Sequence, residues 1–497
     1  MTHANGVTTT YTYHPGNQLR TLTTTRPGNV QEYVLAYRID KSGLRTQVAQ
    51  LQDTFTRATY DYEYDKVKRL TGEYVFLPAG RSRTVNWTYD KVGNRLTEAR
   101  TGVRTANSAY SYDANDRLTQ HTTSGTAPDV GTTTYAYDAA GNLTQKTSPQ
   151  GTENYVYDDA NRMVELIAAN QEVTRYAYNH NGIRIKQTKD ATGSNPQTAH
   201  YLVDPNQAYA QVVEEHAQVG SNPKTLAALY TFGDDRISQY RPANGATPAT
   251  VRHYHADGLG STRLLTDSAG VVTDRYFYEA FGELEAGASV QASDNSFLYT
   301  GEQLDPNSGF YYLRARYMNP GDGRFTQQDP YEGAPLEPLS LHKYVYTSAS
   351  PISNRDPSGL VTLGEINAGI VNTMIRAAQA TATFGNVAAQ VGARAAMQLV
   401  AHTVRVAVQV RPYVTSMPKI GAQMGRVLSR LFGHFQRFVK SKAFQKAGKH
   451  EIELWGPSPA VKTPEVVGPK IAVIPKVLSL ELHNGGCRGE YFSLYIK

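Results

Sequence analysis

Only one cysteine, Cys487, stands among 497 residues, which excludes an intramolecular disulfide framework and a cysteine-based zinc site. Tryptophan occurs twice and phenylalanine 14 times against 34 tyrosines. That balance suits half-buried sheet faces, where a ring packs and its hydroxyl still reaches a partner. No run reaches the roughly 18 uncharged apolar residues that a membrane-spanning helix needs. The closest, Ala388 to Val410, is broken by Arg394, His402 and Arg405. The start, Met1-Thr2-His3-Ala4-Asn5, offers neither a charged n-region nor an apolar h-region, so no cleavable signal peptide is expected. Aspartate is missing after Leu360.

That last absence belongs to a wider asymmetry. The net charge is +6, yet residues 361–497 hold 17 Lys and Arg against 6 Asp and Glu, and the rest of the chain holds 33 against 38. An anionic partner for the basic part, a membrane surface or nucleic acid, is one reading; a solvated basic surface is the other.

What the chain has in abundance is one repeated phrase. Tyr62-Glu63-Tyr64-Asp65, Trp87-Thr88-Tyr89-Asp90, Tyr110-Ser111-Tyr112-Asp113, Tyr135-Ala136-Tyr137-Asp138 and Tyr155-Val156-Tyr157-Asp158 are clear copies, and Tyr11 to Tyr13 and Tyr176 to Asn179 are weaker ones. Each is followed by a short turn and a Leu-Thr or similar pair. The period of roughly 20–27 residues is that of stacked repeat units. Alternation such as Thr-Tyr-Ala-Tyr places both aromatics on one face of a strand. Asp138-Ala139-Ala140-Gly141-Asn142 then reads as a turn, because Asp and Asn bond back to the local backbone and Gly supplies positive φ. The unit is a β-hairpin, and neighbours must join to bury its aromatic face.

After a Gly/Pro/Ala patch at 242–250 come longer phrases: HADGLGSTRLLTD (255–267), RYFYEAFGE (275–283), YTGEQLDPNSGFYYLRARYMNPGDGRFTQQDP (299–330) and DPSGL (356–360). Together with the Tyr-Asp repeats they resemble the RHS/YD-repeat family. The likeness is to its RHS-associated core, shared with the C subunits of insecticidal Tc toxins and with teneurin-like YD shells. It implies a mainly β fold in which a hairpin strip coils into a shell around a C-terminal polypeptide. On that basis residues 1–250 are YD repeats, 251–360 the associated core, and 361–497 a variable toxin-like region. The resemblance further implies a secreted or cell-surface bacterial protein exported without an N-terminal signal peptide. An immunity protein, or a partner chain completing the shell, is expected beside it.

The family's shell frees its cargo after the Leu of DPxGL by a reaction similar to that of aspartic proteases. Carried onto this sequence, that implies Asp329 and Asp356 as the carboxylate pair, Arg324 as a nearby cation, and Leu360–Val361 as the bond cut. Two carboxylates in a desolvated site repel, so one keeps its proton while the other stays ionised to activate water. No cofactor is called for. The plain alternative is that both Asp-Pro pairs begin turns, as Asp305 in LDPNSG is expected to do.

Beyond Leu360, recurrences such as Ile366, Ile370, Met374 and Ala378 predict two or three helices to about residue 410. Arg426 to Lys446 reads as a basic amphipathic helix suited to an anionic membrane surface or phosphate backbones, or packed by its apolar side. The region is thus helical over 361–446, with short β-prone segments after it, a small α+β segment as a whole. His450 with Glu451, and His483 with Glu490, are conceivable nuclease acid/base pairs without supporting spacing, and Cys487 is a conceivable nucleophile. Rival readings of the chain are a YD-repeat adhesion fragment without catalysis and a membrane-active effector.

Overall fold

The computed structural model describes residues 1–360 apart from short breaks at 16–17, 53–54, 78–81, 103, 128, 208, 234, 286–287 and 334–337. It also describes 362–364 and the strands at 472–473, 478–483 and 491–496. The helices expected between 361 and 446, His450, Glu451, Cys487 and Glu490 lie outside the described residues. His483 ends a strand, Leu478–His483, that pairs antiparallel with Tyr491–Ile496. Among the described residues no helix is long and apolar enough to cross a membrane.

Twenty-three strands, from Thr8–Tyr13 to Val272–Arg275, form one sheet. Each strand pairs antiparallel with the next, as hairpin-forming repeats require (for example Gly131–Tyr137 with Leu143–Ser148). The Asp138 turn shows how one unit closes. Asn142 N–H donates to Asp138 Oδ1 at 2.8 Å, and Gly141, at φ +83°, makes the left-handed step. The Leu-Thr that follows has a geometric cause. Ala136 pairs with Gln145 but Tyr137 with Leu143, so Thr144 is the extra residue of a β-bulge, its Oγ1 donating to Ala136 O at 3.2 Å. The leucine turns inward, and Leu70, Leu118 and Leu143 are all buried.

Neighbouring units are tied by the second tyrosine of the phrase. Tyr64, Tyr89, Tyr112 and Tyr178 donate their hydroxyls to the carbonyls of Arg45, Leu70, Arg95 and Met163 at 2.7, 2.8, 2.7 and 2.6 Å. Each acceptor lies five residues after the aspartate of the preceding unit. A bond of this kind contributes about 1 kcal/mol, so the ladder adds up around the wall.

The strip returns on itself. No described strand pair joins its two ends; side chains do. Asn5 Nδ2 donates to Thr266 Oγ1 and to Asp267 O at 2.9 and 2.7 Å, Arg263 Nε to Tyr33 Oη at 3.0 Å, and Glu32 pairs with Arg275. His3 packs its ring against those of His253 and His255, with centroids 5.4 and 4.6 Å apart. Leu22, Tyr33, Leu35 and Tyr37 bury against Leu264 across the same seam.

Residues 276–360 carry little regular structure and fill one end of this ring. Phe281 stacks edge-on to Trp87, Phe310 lies against Tyr155, and Tyr317 against Tyr176. Polar anchors reach turns far apart in sequence: Tyr344 Oη donates to Gly141 O at 2.9 Å, Arg45 Nη1 to Ile352 O at 3.2 Å, and Arg184 meets Asp305 at 2.8 Å. This plug contributes to three of the four buried apolar clusters of the described residues, and it carries Asp329, Asp356 and the arginines near them.

Candidate active site

Asp329 follows the short strand Arg324–Phe325, and its N–H donates to Lys343 O at 2.9 Å. Its Oδ1 accepts from Tyr331 N–H at 2.8 Å, the local bond that an Asp-Pro turn makes, while Oδ2 meets Arg316 Nη2 at 2.8 Å. Asp356 follows the strand Asn354–Arg355 and is buried. Its Oδ1 accepts from Ser358 Oγ and from Leu360 N–H, each at 3.1 Å, and its Oδ2 lies 3.8 Å from the same Arg316 Nη2. The structure therefore brings the two sequence-chosen carboxylates onto a single guanidinium nitrogen.

Arg316 was not singled out by the sequence reading. It is 3% exposed, stacks on the Phe325 ring at 3.5 Å from its centroid, and donates from Nη1 to Lys343 O at 3.0 Å. Its Nε donates to Gly359 O. Arg324 goes elsewhere. Its Nη1 donates to Asn94 Oδ1 at 3.1 Å and its Nη2 to Asp116 O at 2.6 Å, so its guanidinium ties the plug to two repeat turns. The cause is strand alternation: Phe325 faces Arg316, and its neighbour faces the opposite way. Neither residue type nor spacing marks Arg316, which stands 13 residues from Asp329 and 40 from Asp356.

Burial dominates the electrostatics. Desolvation pushes the Asp329 carboxyl up to about 6; the Asp356 charge adds to this, and Arg316, the Tyr331 N–H and Lys343 oppose it. Burial also lowers Arg316 below the usual arginine value, against the pull of the two carboxylates. The arrangement holds one carboxyl whose proton is available near neutral pH beside a second that is fixed against the backbone of the DPSGL loop.

Leu360 is half-buried, and Val361 lies outside the described residues. Beyond them Leu363–Gly364 pairs antiparallel with Asn354–Arg355, so the DPSGL loop is held on both sides. Asp305, expected in a turn, does accept from Asn307 N–H at 3.0 Å, and it is also the buried partner of Arg184.

Comparison with known proteins places this architecture. Residues 18–352 match the Teneurin YD-shell family. The tRNA3(Ser)-specific nuclease WapA of Bacillus spizizenii is 26% identical over 68% of this chain and 11% of its own length. Toxin subunit YenC1 of Yersinia entomophaga is 24% identical over 72% of the chain and 40% of its own length. Toxin protein Tse5 of Pseudomonas aeruginosa is 26% identical over 60% of the chain and 27% of its own length. This chain thus spans under half the length of each. The crystal structure of TcdB2-TccC3-Cdc42 superposes with a TM-score of 0.54 at 20% identity, over 72% of this chain and 18% of that one, a likeness of fold. With a family match covering most of the hairpin ring and its plug, the chain belongs to the Teneurin YD-shell family.

Proposed function

We propose that this chain is the carrier part of a polymorphic toxin, a shell that encloses the segment after Leu360 and frees it by cutting its own Leu360–Val361 bond. The observation that carries the reading is the meeting of Asp329 and Asp356 on Arg316, with Asp356 also bonded to the Leu360 N–H. Relatives that are toxins, and one that is a tRNA nuclease, support the carrier reading.

The reaction balances as a hydrolysis. Ionised Asp356 takes a proton from water, whose oxygen adds to the Leu360 carbonyl carbon. Protonated Asp329 donates to the carbonyl oxygen, and Arg316 steadies the charge that develops there. The tetrahedral carbon then expels the Val361 nitrogen, which takes the proton held by Asp356, while one diol hydroxyl returns a proton to Asp329. The products are a Leu360 carboxylate and a free Val361 amine. The freed segment, basic and without aspartate, acts on an anionic target, a membrane or nucleic acid. A bacterial producer exports the whole and protects itself with an immunity protein.

The test is intact mass of the purified full-length chain at pH 6–7. Two products that part between residues 360 and 361 support the reading, and a single uncut species overturns it.

A further inference from the structure

The DPSGL loop is held carbonyl by carbonyl, by three consecutive residues of the plug. Arg314 Nη1 donates to Pro357 O at 2.6 Å, Ala315 N–H to Ser358 O at 3.3 Å, and Arg316 Nε to Gly359 O. From these contacts we infer that Arg314-Ala315-Arg316 is a positioning cradle that sets the register of the loop, so that the Leu360 carbonyl is the one presented to the carboxylate pair. This rests on the self-cleavage reading above and assigns Arg314 a part in it.

Three further observations point the same way. Arg314 is itself anchored: its Nη1 meets Glu302 Oε2 at 2.6 Å, its Nε donates to Ala210 O at 2.9 Å, and its guanidinium lies over the Tyr209 ring. It also sits at φ +65°, a left-handed conformation that residues with a side chain rarely adopt and that collects at functional sites. Lastly, Gly359 at φ +68° lies flat on the cradle. A Cβ there would stand 2.5 Å from Leu313 O and 3.0 Å from Arg316 N. The glycine of DPSGL is thus required by close backbone approach.

The cradle grips main-chain carbonyls on the N-terminal side of the bond, and Asp356 takes the Leu360 N–H. Together they hold the peptide as a near-attack arrangement, in which misplacement by about 1 Å costs on the order of 100-fold in rate. Arg314 touches neither carboxylate in any described contact. Its loss should therefore lower the rate and loosen the choice of bond without moving the pH profile.

The experiment follows full-length chains over time by intact mass and maps the new C-termini, from pH 5 to 8. Wild type is expected to cut after Leu360 alone. Arg314→Ala is expected to cut roughly 10–100-fold more slowly, with termini spread over neighbouring residues, an unchanged pH profile, and partial rescue in Arg314→Lys. Gly359→Ala, which leaves the anchors of Arg314 in place, carries the same expectation should Arg314→Ala fail to fold. Wild-type rate and a single terminus in these variants would overturn the cradle and leave self-cleavage standing. An uncut wild type would instead remove the reading on which the cradle rests.

Discussion

Arg184 and Asp305 meet at 2.8 Å with their side chains 1% and 0% exposed, joining the hairpin wall to the plug. Arg184 also donates to Tyr317 Oη at 3.1 Å and to Gln303 Oε1 at 2.8 Å, and lies over the Tyr312 ring. Removing one partner leaves a buried charge uncompensated, which costs about 3–5 kcal/mol. Asp305→Ala should therefore lower the urea midpoint of the shell markedly, whereas Arg175→Ala, which removes an exposed pair with Glu165, should shift it little. Equal shifts would contradict the assignment of Arg184–Asp305 as the tie between wall and plug.

Acid should loosen the seam before the rest of the wall. Burial lowers His3 to about 4 and His255 to about 3, with neighbouring imidazoles adding to the effect in both and the terminal amine adding to it at His3; burial also lowers His253. These folded values lie below the ordinary 6.5. The stability they lend is therefore complete above pH 6.5 and is lost as pH falls towards 4. Per histidine, local opening should rise by roughly tenfold for each pH unit below 6.5. Hydrogen exchange corrected for intrinsic rates should quicken at 1–13 and 253–266 between pH 7.5 and 5.5, and hold steady at 163–178. A uniform change across the sheet would speak against a local seam.

The raised carboxyl sets the direction of the cleavage profile. With Asp329 near 6, its protonated fraction grows by about 50-fold from pH 8 to pH 6. Autolysis should accelerate accordingly as the pH is lowered from 8 to 6. Rates from intact mass at fixed ionic strength measure this, and a rate that climbs steadily to pH 8 would assign the acid wrongly.

The two arginines should separate cleanly. Arg316→Ala is expected to abolish cutting. Arg324→Ala should leave cutting in place and weaken the tie to Asn94 and Asp116, lowering the thermal midpoint. Mass and melting curves on both variants decide it, and loss of cutting in Arg324→Ala with Arg316→Ala unaffected would reverse the assignment.

The repeat was readable because its causes are local. Tyr-x-Tyr-Asp, the turn and the Leu-Thr bulge all act within about a dozen residues, where side-chain chemistry and strand alternation suffice. What escaped was long-range. Arg316 gathers Asp329, Asp356 and Gly359 through the packing of a plug with almost no regular structure, and no periodicity encodes such a meeting. Strand parity also sent Arg324, the arginine nearer in sequence to Asp329, to the far side. The turn, weighed as the alternative to a catalytic carboxylate, is present at Asp329 together with an ion pair to Arg316: one carboxylate oxygen serves each.

Cutting by the chain itself can be put to a single direct trial. Full-length wild type, Asp329→Asn and Asp356→Asn are purified in parallel, held at pH 6 and weighed intact. Wild type is expected to divide between Leu360 and Val361 while both variants stay whole. An undivided wild type, or variants that divide as fast as it does, would contradict that expectation.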